Sequence, residues 1–275
     1  MAEYTFIGDI HSAADDLAVL LADTSITQTR LIFLGDYIDG TAGRHLGHLT
    51  QPAPLDPLGV IAQVQQRVRD YGDVALCGNH DDFWVQTARG DDEAAATWVL
   101  NGGHRTWRKL GIYTSNLNTV RRALNQEPLL AATKFLASLP MIWQQGHLVA
   151  MHAGVDWRWP LAQQTRDTLL WIRDDYYFDG GGQPHRNLFD RVLVTGHTPV
   201  QSFENPQMGY VKLQADAEDT PRYVIDGGSR SGLFDGGICA LTLTTQGKVA
   251  RMKRVINRKI YDGQQLVTPE MVSGS

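Results

Sequence analysis

Six side chains with oxygen or imidazole-nitrogen donors stand directly behind short apolar runs in this chain: Asp9, His11, Asp36, Asn79, His152 and His197. Their segments are Phe6-Ile7-Gly8-Asp9-Ile10-His11, Phe33-Leu34-Gly35-Asp36-Tyr37-Ile38-Asp39, Leu76-Cys77-Gly78-Asn79-His80-Asp81, Val149-Ala150-Met151-His152-Ala153-Gly154 and Val194-Thr195-Gly196-His197-Thr198. One Asp or Asn after a strand is ordinarily a turn former or a helix cap. One His there is ordinarily a hydrogen-bonded structural residue. Six such residues in five repeats of one pattern need a shared reason. Carboxylate, amide and imidazole groups together are what a pair of divalent cations requires. A donor set of O and N without thiolate suits Mn, Fe, Zn or Co better than copper or an iron–sulfur cluster. Asp9 and His11 are two residues apart, so on an extended stretch they share a face and both can reach one ion.

The apolar runs must position these groups. Runs of four to eight residues rich in Val, Ile, Leu and Phe, closed by Gly, suit interior strands of a sheet covered on both faces. In open α/β sheets ligands bind beyond the carboxyl ends of the strands, so five strands would deliver the six donors to one rim. The glycines before the donors, Gly8, Gly35, Gly78 and Gly196, leave the backbone free to turn there.

Along the first half, strands at 4–7, 31–34 and 74–77 alternate with helices near 13–21 and 57–71, the pattern of a parallel sheet. Residues 40–55 read as a long loop with Pro52 and Pro54. Residues 82–140 read as a mainly helical cap, and Asp91-Asp92-Glu93 places acids at a helix start. Strands at 148–151, 192–195, 223–225, 238–244 and 248–255 would build a second sheet. The predicted class is α/β: two mixed sheets flanked by helices, with a helical cap about 82–140, in one domain over 1–275. The tail after Tyr261 carries no clear signal and is expected to be loosely ordered.

The chain has 275 residues and a net charge of −5, which argues against a broad nucleic-acid-binding surface. There is no signal-peptide pattern and no apolar run near the ~18 residues of a membrane span. The two cysteines, Cys77 and Cys239, lie in apolar runs and read as reduced core thiols. A cytoplasmic protein, acting on neither nucleic acid nor membrane, is the expectation; its oligomeric state is left open.

The five motifs, GDIH, GDYID, GNHD, HAG and GHTP, resemble in kind and order those of the calcineurin-like metallophosphoesterases. Within that family the chain is most similar to the bacterial phosphoprotein-phosphatase branch, which includes serine/threonine protein phosphatases and symmetrical diadenosine tetraphosphatases. The resemblance extends over Asn101-Gly102-Gly103, Leu169-Leu170-Trp171-Ile172-Arg173 and Ile225-Asp226-Gly227-Gly228, and so over roughly residues 4–245. It implies the family's sandwich fold and two divalent metals, commonly manganese or an Fe/Mn or Fe/Zn pair. One metal would take Asp9, His11 and Asp36; the other would take Asp36, Asn79, His152 and His197. It further implies hydrolysis by metal-bound hydroxide, with His80 as general acid, Asp39 as its carboxylate partner, and Asn79 and Arg173 on the substrate phosphate.

The chain departs from the family pattern after Asp39. The usual continuation is Arg-Gly, whose arginine holds phosphate; here Gly40 follows, and Arg44 is the candidate to swing in from the loop. Ser12 replaces a usual glycine and reads as a helix N-cap. Asp81 stands where glutamate is commoner. Three functions follow from the resemblance. The first is a phosphomonoesterase of the protein-phosphatase type. The second is a dinucleoside polyphosphate hydrolase. The third is a phospho-ligand binding protein without turnover. Tyr176-Tyr177-Phe178 is expected to pack on the body rather than stack a substrate.

Overall fold

A computed structural model describes residues 2–203 and 209–273. Its strands are β1 (Glu3–Ile7), β2 (Arg30–Phe33), β3 (Gly43–Leu46), β4 (Leu49–Pro52), β5 (Val74–Ala75), β6 (Ile142–Gln145), β7 (Leu148–Met151), β8 (Val192–Thr195), β9 (Val211–Leu213), β10 (Arg222–Val224), β11 (Ile238–Thr244), β12 (Val249–Ile256) and β13 (Lys259–Asp262). They form a six-stranded sheet in the order β13-β12-β11-β1-β2-β5 and a five-stranded sheet in the order β6-β7-β8-β10-β9. Each sheet is mixed. In the first, β1-β2-β5 are parallel and run to one edge, and β11, β12 and β13 continue antiparallel to the other; in the second, β7-β8-β10 are parallel between antiparallel β6 and β9.

Alternation along each strand explains why its run had to be apolar throughout. Phe6, Ile32, Leu34 and Leu76 point between the sheets and meet Leu148, Ala150, Val194 and Ile225 there. Ile7, Leu31 and Phe33 point the other way, onto helices that bring Leu17, Val60 and Trp84. On the far side Val149, Met151, Leu193 and Val224 pack beneath Leu169, Tyr176 and Tyr177. The result is four layers, helices outside two sheets, with the parallel strands covered on both faces.

The helix Pro57–Tyr71 begins where Asp56 accepts from the Gly59 amide at 2.8 Å and Pro57 fixes the first turn. Five helices, Asn79–Arg89, Asp92–Leu100, Gly103–Lys109, Leu117–Leu124 and Leu130–Ala137, form the cap. Asp91 caps the second through the amides of Glu93 and Ala94.

Two expectations are corrected. The segment expected as a loop over 40–55 carries the hairpin β3–β4, with Leu46 opposite Leu49. Its mostly exposed side chains give no inside–outside alternation for a sequence reading to find. The tail expected to be loose is packed: Val267 and Val272 are buried against Ile256 and Tyr261, and Pro269–Ser273 is helical. Two widely spaced apolar residues suffice for that anchor but make no periodic signal. Short edge strands β6, β9 and β13 were also missed. Cys77 and Cys239 are buried and free. Tyr176 and Tyr177 are buried, as expected of packing residues. Among the described residues no helix is long and apolar enough to cross a membrane.

The layer between the sheets holds both rims in register. We predict that Ile32→Ala, at a fully buried position of that layer, lowers stability by about 2–4 kcal/mol in urea unfolding. A loss below about 1 kcal/mol would show that the layer closes around the gap.

Candidate metal centre and its histidine–aspartate pair

The ends of β1, β2, β5, β7 and β8 bring the six predicted donors together. His11 Nε2 lies 3.9 Å from Asp9 Oδ2 and 3.6 Å from Asp36 Oδ2. His152 Nε2 lies 3.5 Å from Asp36 Oδ1 and 2.8 Å from Asn79 Oδ1. His197 Nδ1 lies 2.9 Å from the same Asn79 oxygen. Donor atoms of Asp9, Asp36 and His152 all fall within 4.8 Å of one another. All but His11 are buried.

These residues fit divalent cations on their own chemistry. His11 Nδ1 is 3.0 Å from the Ile38 carbonyl, and His152 Nδ1 is 2.9 Å from the Leu34 carbonyl. A carbonyl can only accept, so Nδ1 carries the hydrogen and Nε2 turns its lone pair into the cluster. His197 Nε2 is buried with no partner among the described residues. Burial, the neighbouring His152 and Arg173 push the His197 pKa well down; burial lowers that of His152 too, so both rings are neutral. Burial alone would raise Asp36, but the histidines around it, of which His80 is the one held protonated, outweigh burial and keep it well below the usual carboxylate range. Burial raises Asp9, and the charges of Asp226 and Asp36 add to that. Three carboxylates thus repel one another in a dry site, a cost that bound cations would remove. Asp9, His11 and Asp36 could hold one ion, and Asp36, Asn79, His152 and His197 a second. Asp226 is a third acid to which the sequence reading gave no role.

The chain adopts costly backbone to aim these groups. His11, Asp36, Asp39 and His197 have φ of +50°, +54°, +64° and +65°, in the left-handed region that non-glycine residues avoid. Hydrogen bonds hold the strained ends. The Asp81 carboxylate accepts from the amides of Asp36 at 2.8 Å, Tyr37 at 3.0 Å and Gly78 at 2.9 Å. The Asp9 carboxylate accepts from the His197 amide at 3.1 Å. At Gly196 a Cβ would stand 2.1 Å from Asp9 Oδ1, so no other residue lets β8 come this close to β1. Ser12 does not cap the following helix: Ala13 occupies the cap position, and Ser12 Oγ is buried without a partner among the described residues.

His80 follows Asn79 into a helix and turns away from the cluster. Its Nδ1 is 2.6 Å from Asp39 Oδ2, and its backbone amide donates to Asp36 Oδ1 at 3.0 Å. Burial alone would lower its pKa, but Asp36 and then the Asp39 hydrogen bond outweigh burial and push it up to about 9. Asp39 is itself held from the cap: Trp98 Nε1 donates to Oδ2 at 2.7 Å and the Thr106 hydroxyl donates to Oδ1. The sequence reading assigns no role to Trp98 or Thr106 beyond their place in the helical cap. A buried indole N–H needs an acceptor, which is the one sequence-level signal that could have raised the question.

Of the predicted phosphate-binding cations, Arg173 is well placed and Arg44 is not. Arg173 is exposed beside His197, with Nη1 donating to Thr198 Oγ1 at 2.7 Å. Arg44 is buried, with Nη1 donating to the carbonyls of Phe234 and Gly236 at 2.7 Å each. Those carbonyls would lose their donor if it swung out. Gly40 could not carry the absent arginine either. Its φ is +118°, and a Cβ there would stand 2.7 Å from Arg230 Cβ. A cleft of about 170 Å³ opens here, bordered by His11, Gly40, His80, Asn101, Arg105 and Arg230.

A family model described as calcineurin-like phosphoesterase matches residues 3–226. No curated protein sequence matches the chain. Among solved structures, a candidate diadenosine tetraphosphatase is 17% identical with a TM-score of 0.55, covering 95% of this chain and 94% of that one. A metallophosphoesterase from Sphaerobacter thermophilus is 15% identical with a TM-score of 0.48, covering 92% and 88%. A protein serine/threonine phosphatase from Saccharomyces cerevisiae is 12% identical with a TM-score of 0.45, covering 98% and 82%. At such identities the likeness to the first speaks to fold alone, and the other two carry no argument.

The His80–Asp39 contact makes a prediction with a definite sign. A histidine whose folded pKa is raised from 6.5 to about 9 contributes stability that is complete below 6.5 and lost as pH rises through 9. In chelator-treated protein, Asp39→Asn should lower the His80 pKa, read from its ring-proton shifts, and flatten the decline in stability over that window. An unchanged His80 pKa would show that Asp36 alone sets it.

Proposed function

The chain belongs to the calcineurin-like phosphoesterases, and on that premise we propose that it hydrolyses phosphomonoesters in the manner of a serine/threonine protein phosphatase. Membership makes it a metal-dependent phosphoester hydrolase. The observation that carries the finer reading is the hydrogen-bonded His80–Asp39 pair at the edge of the donor cluster. An alkoxide leaving from serine or threonine is strongly basic and needs a proton as it departs. The phosphate leaving group of an anhydride does not. A histidine kept protonated at neutral pH suits the first task.

The chain's own groups divide the work as follows. Asp9, His11, Asp36, Asn79, His152 and His197 would hold two divalent cations, manganese or an Fe/Mn or Fe/Zn pair. Cations bound there would neutralise phosphoryl charge and acidify a water. With Nδ1–H given to Asp39, His80 keeps its other proton on Nε2, the nitrogen free to meet the leaving oxygen. Arg173 has N–H groups left beyond its bond to Thr198 and would grip non-bridging oxygens, with Asn79 beside them. The cleft of about 170 Å³ has room for a phosphoryl end but is smaller than the ~300 Å³ at which drug-sized ligand pockets begin. That favours a substrate that inserts only its phosphorylated tip. The two buried free thiols support a cytoplasmic setting.

One observation favours a second reading, hydrolysis of a dinucleoside polyphosphate. A wider cavity of about 630 Å³ lies on the cap beside Trp107 and Tyr113, with His104 and Arg108 in its wall. It could take a nucleoside. The complete His80–Asp39 pair counts against a role limited to phospho-ligand binding.

With manganese present, kcat/KM for phosphoserine and phosphothreonine peptides should exceed that for diadenosine tetraphosphate; the reverse order would replace the first reading with the second. His80→Gln should cut turnover of the peptides about 10²–10⁴-fold and spare p-nitrophenyl phosphate, whose leaving group needs little help. Metal content should be unchanged. Equal losses on both substrates would remove His80 from the acid role. Arg173→Ala should cost about 1.5–3 kcal/mol in kcat/KM. A change of less than about twofold (~0.4 kcal/mol) would take Arg173 off the phosphate.

A further inference from the structure

Beyond the cations, the non-bridging oxygens of a phosphomonoester need side-chain donors; Arg173 is one, and Gly40 supplies none. The other arginines near the cleft are engaged. Arg44 is bound to two backbone carbonyls. Arg230, whose side chain is 2% exposed, is paired with Asp15 and Asp16. Arg105 differs from both. It borders the same cleft as His11 and His80, is exposed, and its side chain has no hydrogen bond or ion pair among the described residues.

Its place is fixed by its neighbours rather than by chance exposure. Thr106, the next residue, is buried with its hydroxyl on Asp39. Gly103 presses the start of the same helix onto Trp98, where a Cβ would lie 2.3 Å from the indole Cδ1. Trp98 also donates to Asp39. The contacts that lock the partner of His80 therefore set the backbone of Arg105 at the cleft. Asn101, at the end of the preceding helix, borders it too.

We propose that Arg105 is a substrate-binding residue that hydrogen-bonds the non-bridging oxygens of the phosphoryl group, supplying from the cap the cation that Gly40 cannot carry. This rests on the phosphomonoester reading. It adds that recognition of the dianion is divided between Arg173 on the His197 side and Arg105 on the cap. A guanidinium gives two parallel N–H groups to two oxygens in a fixed planar fork, a geometry an ammonium lacks.

The test is inorganic phosphate binding to the manganese-loaded protein by calorimetry, with steady-state kinetics beside it. Arg105→Ala should weaken phosphate binding about tenfold or more and raise KM for p-nitrophenyl phosphate similarly. It should change kcat less, and leave metal content and thermal unfolding as they were. Arg105→Lys should recover part of the loss by restoring charge without the fork. The exposed Lys109→Ala serves as control and should behave as wild type. The diester bis-p-nitrophenyl phosphate, with one negative charge fewer, should be less sensitive to Arg105→Ala. Phosphate affinity within twofold of wild type in Arg105→Ala would overturn the proposal, as would a wild-type protein that does not bind phosphate. Binding is read without turnover. A chain that binds phosphate through Arg105 but does not cleave monoesters would therefore defeat the functional reading and leave this one standing.

Discussion

Mutual repulsion among buried carboxylates is the constraint on which the rest of this molecule depends. Asp9, Asp36 and Asp226 share one buried rim, where the charges of Asp226 and Asp36 raise Asp9 and that of Asp36 raises Asp226. Left alone, such a group would be driven to protonate or to unfold its surroundings. Neutral imidazoles of His152 and His197 and the amide of Asn79 face the same space, so the arrangement is coherent as a cation site. The two sheets, their packed interface and the tight turns at their ends all serve to keep these charges together.

Holding them requires backbone that the residues themselves disfavour. Four site residues sit at positive φ, and each has a neighbour that restrains it through hydrogen bonds or a close approach. The Asp81 carboxylate gathers three amides from two strand ends. This gives a structural reason for an acid at that position. A side chain one methylene longer would have to seat its carboxylate differently, so the aspartate here is fitted to its own local spacing.

The cap is joined to the chemistry through one carboxylate. Asp39, just beyond β2, accepts from His80 on the first cap helix and from Trp98 and Thr106 on the next two, some sixty residues further along the chain than Asp39. That shared acceptor ties the position of the cap helix Gly103–Lys109 to the geometry of His80.

The sequence by itself determined the interior strands and the polar residues that stand at their ends. A strand covered on both faces must be apolar throughout, and a donor at its end must be polar, so each motif announced its own place. The long helix at Pro57–Tyr71 carried its start and stop chemistry in adjacent residues. What the sequence could not determine was every relation set by contact across distance. The hairpin at 43–52 has no hydrophobic alternation because most of it faces solvent, and the tail is held by only Val267 and Val272. Arg44 looked like a free cation on a loop until the carbonyls of Phe234 and Gly236 claimed it. The bond from the Trp98 N–H to Asp39 is likewise a contact that no local pattern encodes. Local pattern encodes which face of an element is buried. Which polar atom meets which is decided only when elements far apart in the chain are packed together.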